Sequence, residues 1–298
     1  MTNSLGKFQK WLEEQNKSPF TVRGYVNDVL QFLRWCGSPN GSLPVDALSE
    51  DNARRYRSYL FDERNTKPRT FNRKLAALRS FVIWLEDIGV LDSDPFGCIN
   101  MVREERGAPP RITRKEKKSL EKAVASMIGK ASNSHARLLA MRDRALFYTL
   151  LNTGVRLSEI CALDMRDVSV SAEKGTLKVR NQSLTRRVVP LNRQAREALK
   201  GWLDVRPDTS SQAVFIEARP GGSRLSRRTV QGRISKIGKS ASVKVTVHLL
   251  RHTVARQLLD AGEDLETVAK LLGHRDLNST RQYISGAESD LEKAVNLL

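Results

Sequence analysis

The residues best suited to chemistry lie close together near the C-terminal end of the chain. Three of the four histidines in the sequence, His248, His252 and His274, fall in this stretch, with Arg251 between the first two and Tyr283 nine residues after the last. An arginine guanidinium donates paired hydrogen bonds to a phosphate, a histidine donates or shuttles a proton, and a tyrosine is a possible nucleophile. The combination indicates chemistry on a phosphate group.

A zinc site is the alternative that the spacing raises, because His248 and His252 lie four positions apart, as metal-binding histidines on a helix often do. The zinc-protease helix needs a glutamate directly after its first histidine, where this sequence has Leu249, and Arg251 would repel a cation. We therefore expect no bound metal, and no other cofactor is expected either.

Two helices must position these residues. The apolar periodicity predicts a helix over 248–260 and a second over 265–272, each followed by a glycine that is suited to end it. On the first helix, His248, Arg251 and His252 are three and four positions apart and project from one side. We expect that side to be a polar, cationic face outside the core.

The strings H-L-L-R-H at 248–252 and L-L-G-H at 271–274, followed by a tyrosine, resemble the C-terminal signature of the tyrosine recombinases, the phage integrase family, of the Xer-like kind. The string T-G-V-R-L-S-E-I at 153–160 resembles the family's first catalytic arginine motif. The resemblance also gives Glu159 a supporting role, although an ordinary carboxylate at a helix N-terminus explains this residue equally well. The catalytic residues that the resemblance implies are Arg156, His248, Arg251, His274 and Tyr283.

The resemblance implies a specific reaction on duplex DNA. Tyr283 would attack the scissile phosphate and form a 3′-phosphotyrosyl link with a free 5′-hydroxyl, while Arg156 and Arg251 hold the non-bridging oxygens. His248 would serve as the general base, and His274 would donate a hydrogen bond to the phosphate. Because a phosphodiester becomes a phosphotyrosyl diester, the reaction would need neither ATP nor a metal.

One position departs from the family pattern. Alternating segments at 176–180 and 187–191 predict an antiparallel hairpin, which in the family carries a catalytic lysine that protonates the leaving 5′-oxygen. Counting along the strands places Gln182 at that position, and glutamine cannot act as a general acid. Lys178 and Arg180 share the strand parity of Gln182, so either residue is a candidate for the same groove. The general acid is therefore left open.

Charge and composition favour a nucleic-acid partner. The chain has 51 lysines and arginines against 33 aspartates and glutamates, a net charge of +18, and such a surplus is typical of proteins that bind nucleic acid. The three cysteines have no CxxC spacing, which argues against a disulfide framework or a zinc knuckle. With no signal peptide or membrane span in the sequence, we expect a cytoplasmic, nucleoid-associated protein with no membrane partner.

The expected fold is mainly α with a small antiparallel β-sheet, in two domains. Residues 1–103 are predicted to form a helical core-binding domain of four helices, since S-P-F-T-V-R-G-Y at 18–25 resembles that domain of the family. Its helices carry many cations, Lys74 and Arg79 among them, which we expect on a solvated or phosphate-contacting face. Residues 104–112 contain glycine, prolines and charges and are predicted to be a linker.

Residues 113–298 are predicted to form the α+β catalytic domain. Beyond the hairpin, we expect a short strand at 213–217 and a helix at 226–240 whose cationic face, which includes Arg233, suits phosphate contacts. The tail after Tyr283 places apolar residues at helical spacing and predicts a short amphipathic helix.

The expected partners are double-stranded DNA and further copies of the chain. The resemblance implies a dimer on each site and a tetramer in the synapse, joined through the C-terminal tail, with a second recombinase as a possible partner. Docking of the tail on its own domain fits the sequence equally well. Two other functions also fit: a type IB topoisomerase-like enzyme, and a sequence-specific DNA-binding protein whose catalytic site has lapsed at Gln182. The target site and the choice among integration, excision and resolution stay open.

Overall fold

The computed structural model describes residues 4–38, 47–103, 110–180, 186–274 and 280. The chain divides into two compact units, residues 1–105 and 106–298. The first unit is helical and the second combines helices with one small antiparallel sheet, which confirms the predicted fold class. In the described part of the chain, no helix is long and apolar enough to span a membrane.

The first unit is built from four α-helices that bury a largely aromatic core. Phe8, Phe32 and Phe81 are fully buried, and the rings of Phe8 and Phe81 meet edge to face with centroids 5.0 Å apart. Serine hydroxyls at positions 18 and 49 cap the second and third helices by accepting from free backbone N–H groups. The four helices are α1 (Ser4–Glu14), α2 (Pro19–Trp35), α3 (Glu50–Ser58) and α4 (Pro68–Asp87).

Two cations predicted for the exposed face of this unit have internal partners instead. Lys74 on α4 is buried and donates to the carboxylate of Asp28 and the amide oxygen of Gln31 on α2. Arg79 donates to the backbone carbonyls of Phe96 and Ile99. A charge pattern along a helix does not distinguish a solvated cation from one that ties two segments together.

The second unit contains the remaining elements. Its helix α6 is almost entirely buried along one side and forms the centre of the core, against α5, α8, α9 and α10. The elements in chain order are α5 (Arg114–Gly129), α6 (Ser134–Thr153), α7 (Leu157–Ala162), β1 (Val168–Val170), β2 (Gly175–Arg180), β3 (Arg186–Pro190), α8 (Arg193–Leu203), α9 (Arg227–Ser240), α10 (Val247–Asp260) and α11 (Leu265–Leu272).

The sheet has the strand order β1-β2-β3 with antiparallel neighbours. In the β2–β3 register, Val179 lies opposite Arg187 and Lys178 lies opposite Val188. Residues directly opposite each other project from the same face of a sheet, so the buried face that carries Val179 also carries Arg187. Lys178 and Arg180 are exposed on the other face.

Two local predictions for the second unit need correction. The expected strand at 213–217 is not a regular strand, because its residues make only isolated bridges, Asp164 to Ala213 and Ile216 to Arg224. Near the end of the predicted linker, the Ile112 side chain is buried and its N–H donates to Thr253 Oγ1 at 3.0 Å. Ile112, the last residue of the predicted linker 104–112, is therefore anchored on the second unit, directly before the cap of α5.

Candidate active site

Arg156 lies in a tight junction between two helices. Helix α6 ends at Gly154, which has a left-handed φ of +62°, and Arg156 is the N-cap residue of α7. A Cβ at position 154 would lie 2.7 Å from Leu272 Cδ2, so both the backbone conformation and the close approach of α11 call for glycine. This junction aims the Arg156 side chain toward the end of α11, where its Nη2 donates to Gly273 O at 2.5 Å.

Arg251 is buried, with 5% of its surface exposed, and this corrects the prediction that it lies on a polar face outside the core. Its Nη1 donates to Gly154 O at 2.6 Å and its Nη2 donates to Leu272 O at 2.8 Å. The carbonyls at the C-terminal end of a helix carry partial negative charge and lack helical partners. Carbonyls of this kind, at the ends of α6 and α11, hold the guanidinium of Arg251 and fix its orientation.

His274 follows directly after α11 and is partly buried beside these arginines. Its Nδ1 lies 2.6 Å from the hydroxyl oxygen of Thr280, which is itself buried. Burial, reinforced by the positive charges of Arg251, Arg156 and Arg187, lowers the pKa of His274 to about 4. The imidazole is therefore neutral at neutral pH, with one N–H to donate.

We expect this pKa shift to make folding stability depend on pH. The unfolded chain, with a histidine pKa near 6.5, binds more protons than the folded chain between pH 6.5 and 4. The free energy of unfolding is then highest above pH 6.5 and falls as the pH drops toward 4. The expected loss in the free energy of unfolding is about 1–2 kcal/mol. This is roughly half of what the pKa shift would give for a fully buried group, because solvent screens the partly buried His274.

Urea unfolding of wild type and His274→Gln at several pH values measures this contribution. The difference between the two proteins should change over pH 6.5 to 4 and be constant above it. His135 is an exposed histidine on α6, so His135→Gln serves as the matched control for the loss of one histidine. Parallel curves for wild type and His274→Gln would show that His274 does not titrate on unfolding in this range.

His248 completes the group around one cavity. It is exposed at the start of α10, and its ring stacks on that of His252 with centroids 6.0 Å apart. Burial lowers the pKa of His252, and the charges of His248 and Arg251 lower it further. The family resemblance does not include His252 in the catalytic set. The cavity has a volume of about 280 Å³, and its lining includes Arg156, His248 and Arg251.

Glu159 links the first arginine to a residue that sequence reasoning missed. Its buried carboxylate accepts from the Arg156 side chain at 3.0 Å and from Arg187 at 2.7 and 2.8 Å. Burial opposes ionisation, but the hydrogen bonds from Arg187 and from the Arg156 backbone hold the pKa of Glu159 below its usual value. Strand parity is the feature of the sequence that could have revealed Arg187 as an inward-facing residue, because it shares a sheet face with the apolar Val179 opposite it.

Of the five predicted catalytic residues, four lie in the described part of the chain. The end of α11 brings Arg156, Arg251 and His274 together, and His248 lines the same cavity as the two arginines. Tyr283 lies outside the described residues, as do Gln182 and the C-terminal tail. Within the described ranges, no cluster of three or more histidine, cysteine, aspartate or glutamate side chains is arranged to hold a metal ion.

Comparisons with known proteins show the family to which both parts of the chain are similar. Residues 118–289 match the Phage integrase family, and residues 5–90 match its N-terminal SAM-like domain. Tyrosine recombinase XerC of Chlorobaculum tepidum is 31% identical over 303 residues, covering 94% of this chain and 89% of that protein. XerC of Pelotomaculum thermopropionicum is 32% identical over 294 residues, covering 94% and 92%.

A solved structure shares the fold. The XerH site-specific recombinase bound to palindromic difH substrate, in a post-cleavage complex, superposes with a TM-score of 0.75 at 20% sequence identity, covering 96% of this chain and 84% of that chain. The family match and the two XerC relatives confirm the family resemblance found in the sequence. With a family match over residues 118–289 and relatives above 30% identity along most of its length, the chain belongs to the phage integrase family of tyrosine recombinases.

Proposed function

We propose that this chain is a site-specific recombinase that cleaves and rejoins duplex DNA through a 3′-phosphotyrosyl intermediate. The observation that carries the proposal is the fixed pair of guanidiniums, Arg156 and Arg251, which are held by backbone carbonyls beside a cavity that also contains His248. Two arginines in fixed positions match the two non-bridging oxygens of a phosphodiester.

Tyr283 is the proposed nucleophile. Its phenolate attacks phosphorus, the bond to the 5′-oxygen breaks, and the DNA 3′ end is left joined to the enzyme. Attack by a 5′-hydroxyl from a second strand reverses the step and releases the tyrosine. One ester replaces another at each stage, so no ATP is consumed, and the two arginines supply the positive charge that a metal ion would provide elsewhere.

The histidines take different roles in this proposal. His248 is exposed at the cavity and is the proposed acceptor for the proton of the tyrosine hydroxyl, whose unperturbed pKa is about 10. His274 is neutral at neutral pH because of its lowered pKa. In this proposal its Nδ1 accepts from the Thr280 hydroxyl and its Nε2–H donates to a phosphate oxygen.

The general acid for the leaving 5′-oxygen comes from the hairpin in this proposal, as the family pattern implies. Lys178 and Arg180 are exposed on the sheet face opposite the one that carries Arg187. Either cation would therefore have to reach the DNA from the solvent side of the hairpin. Gln182, at the expected lysine position, cannot supply the proton.

Double-stranded DNA is the proposed substrate and copies of the same chain are the proposed partners. The exposed face of α9 is cationic and suits phosphate contacts, although Arg233, predicted on that face, is instead paired with Asp143. Exchange between two duplexes requires four cleavages, and each chain has one Tyr283, which favours a dimer on each site and a tetramer in the synapse. The tail would join the protomers, and the complex would act on DNA in the cytoplasm.

Covalent trapping tests the proposal directly. Wild type and Tyr283→Phe are incubated with fragmented genomic DNA of the source organism, denatured in SDS, and the DNA that stays attached is sequenced. We expect adducts with wild type alone, clustered at a short inverted repeat, because a phenylalanine ring has no nucleophilic oxygen. Tyr148→Phe, on α6, removes one hydroxyl elsewhere and should keep the adducts.

Other outcomes separate the alternatives. Adducts that persist in Tyr283→Phe would identify a different nucleophile. Specific binding without adducts would indicate a DNA-binding protein with a lapsed site, and the gain of adducts in Gln182→Lys would then locate the lapse. Relaxation of supercoiled plasmid without strand exchange would indicate a topoisomerase-like enzyme.

A further inference from the structure

Arg187, on β3, makes three hydrogen bonds inside the second unit, with its side chain 13% exposed. Its Nη1 and Nη2 donate to the two carboxylate oxygens of Glu159, and its Nε donates to Leu271 O at 2.8 Å. The guanidinium also packs against Gly273, where a Cβ would lie 2.6 Å from Nη1. A single side chain thus connects the sheet, α7 and the end of α11.

The end of α11 is a shared support for three arginines. Each of its last backbone carbonyls accepts from a different guanidinium: Leu271 O from Arg187, Leu272 O from Arg251 and Gly273 O from Arg156. Arg156 and Arg251 are proposed to bind the scissile phosphate, and Arg187 is not among the residues that line the cavity. The position of this helix end therefore depends on all three.

Charge balance gives Arg187 a second effect. Glu159 Oε1 accepts from both Arg156 and Arg187, so one carboxylate lies between two guanidiniums and the group retains a net positive charge. Without Arg187, the carboxylate of Glu159 would be left to neutralise Arg156 alone. It would then compete with the phosphate for the same guanidinium.

We propose that Arg187 is a positioning residue for strand cleavage, which acts by neutralising Glu159 and fixing the end of α11 so that Arg156 stays available to the phosphate. The inference rests on the proposed function. Arg187 makes no contact with DNA in this proposal. Arg187 also follows residues 181–185, the segment between β2 and β3, so it anchors that hairpin to the arginine site.

The test compares neighbouring arginines on one strand. Arg187→Gln and Arg186→Gln each remove one positive charge, but Arg186 is exposed and lies opposite Arg180. Cleavage is measured in single turnover at 20 °C, with saturating nicked duplex that carries the site recovered by trapping. We expect about a 100-fold slower cleavage for Arg187→Gln, a change of about threefold or less for Arg186→Gln, and similar DNA affinity for both.

A second substitution distinguishes charge balance from structural support. In Arg187→Gln/Glu159→Gln the competing carboxylate is gone, so we expect cleavage about tenfold faster than in Arg187→Gln alone. Arg187→Lys keeps the charge and should cleave within about tenfold of wild type; this variant carries the test if Arg187→Gln does not fold. All rates are compared on proteins that are folded by circular dichroism.

Four results would overturn the inference, the last of them together with the proposed function. Cleavage by Arg187→Gln at the rate of Arg186→Gln would remove any special role for Arg187. A double variant no faster than Arg187→Gln would exclude the charge-balance effect. A loss explained entirely by weaker DNA binding would make Arg187 a DNA contact. If wild type gives no Tyr283-dependent adduct, the proposed function fails first and the inference fails with it.

Discussion

Replacing Arg251 by glutamine is expected to lower the rate of DNA cleavage by about a thousandfold or more. The guanidinium is buried and held by Gly154 O and Leu272 O, so its position is set before DNA binds. A fixed charge stabilises a transition state without any reorganisation at the moment of reaction. Glutamine removes the charge and has a single donor nitrogen where the guanidinium uses two, Nη1 and Nη2, to bind the two buried carbonyls.

Two further variants sharpen this prediction. Arg256 is on the same helix and pairs with Asp260 four residues later, so Arg256→Gln removes an equal charge and should change cleavage by about threefold or less. Arg251→Lys keeps the charge but loses the planar pair of donors, and we expect an intermediate rate. Single-turnover cleavage with saturating DNA is the measurement. A folded Arg251→Gln protein within tenfold of wild type would exclude the assigned role.

Local sequence signals predicted the elements of the structure well. The serine before α2, the threonine before α5 and the glycine after α6 are residue types that mark helix ends, and each lies at a helix end in the structure. These signals work because each depends on one residue and its own backbone: a side-chain oxygen that caps free N–H groups, or a glycine that adopts positive φ. The hairpin was found for a similar reason, since a strand alternates its faces.

The burial of Arg251 was not predictable in the same way. A pattern of apolar and polar residues along α10 assigns an arginine to the solvent side, because an unpaired charge is rarely buried. Its partners are the carbonyls of Gly154 and Leu272, which are 97 and 21 residues away in sequence. Only the packing of α6 and α11 against α10 brings them to it.

Arg187 and Lys74 show the same limit. Each is a cation in a basic stretch, and no partner for either can be read from the sequence, although the strand parity of Arg187 points inward. The structure places Glu159 and Asp28 beside them. The roles of Tyr283, Gln182 and the tail stay predictions. The nucleophile and the general acid therefore rest on the family resemblance, while the arginine site rests on geometry.

The stability of the second unit depends on a buried ionic cluster that the catalytic proposal does not use. Asp143, on α6, has 1% of its surface exposed and accepts from Arg142 at 2.9 Å and from Arg233, on α9. Arg142 is also buried and donates to Ile216 O at 3.3 Å. One carboxylate thus pairs with two guanidiniums and ties α6 to α9.

Asp143→Ala is expected to lower the free energy of unfolding by about 3–5 kcal/mol, because Arg142 would be left buried without its counter-charge. Asp204→Ala is the matched control: its pair with Lys200 is exposed on both sides, so we expect a change of about 0.5 kcal/mol or less. Urea unfolding by circular dichroism measures both variants.

Hydrogen–deuterium exchange on the full chain shows where the loss is located. Peptides from α6 and α9 should exchange faster in Asp143→Ala, while peptides from α4 in the first unit should be unchanged, because the two units have separate cores. A loss below about 1 kcal/mol would mean that water reaches Arg142 once the carboxylate is gone. Faster exchange throughout both units would mean that the two cores unfold together.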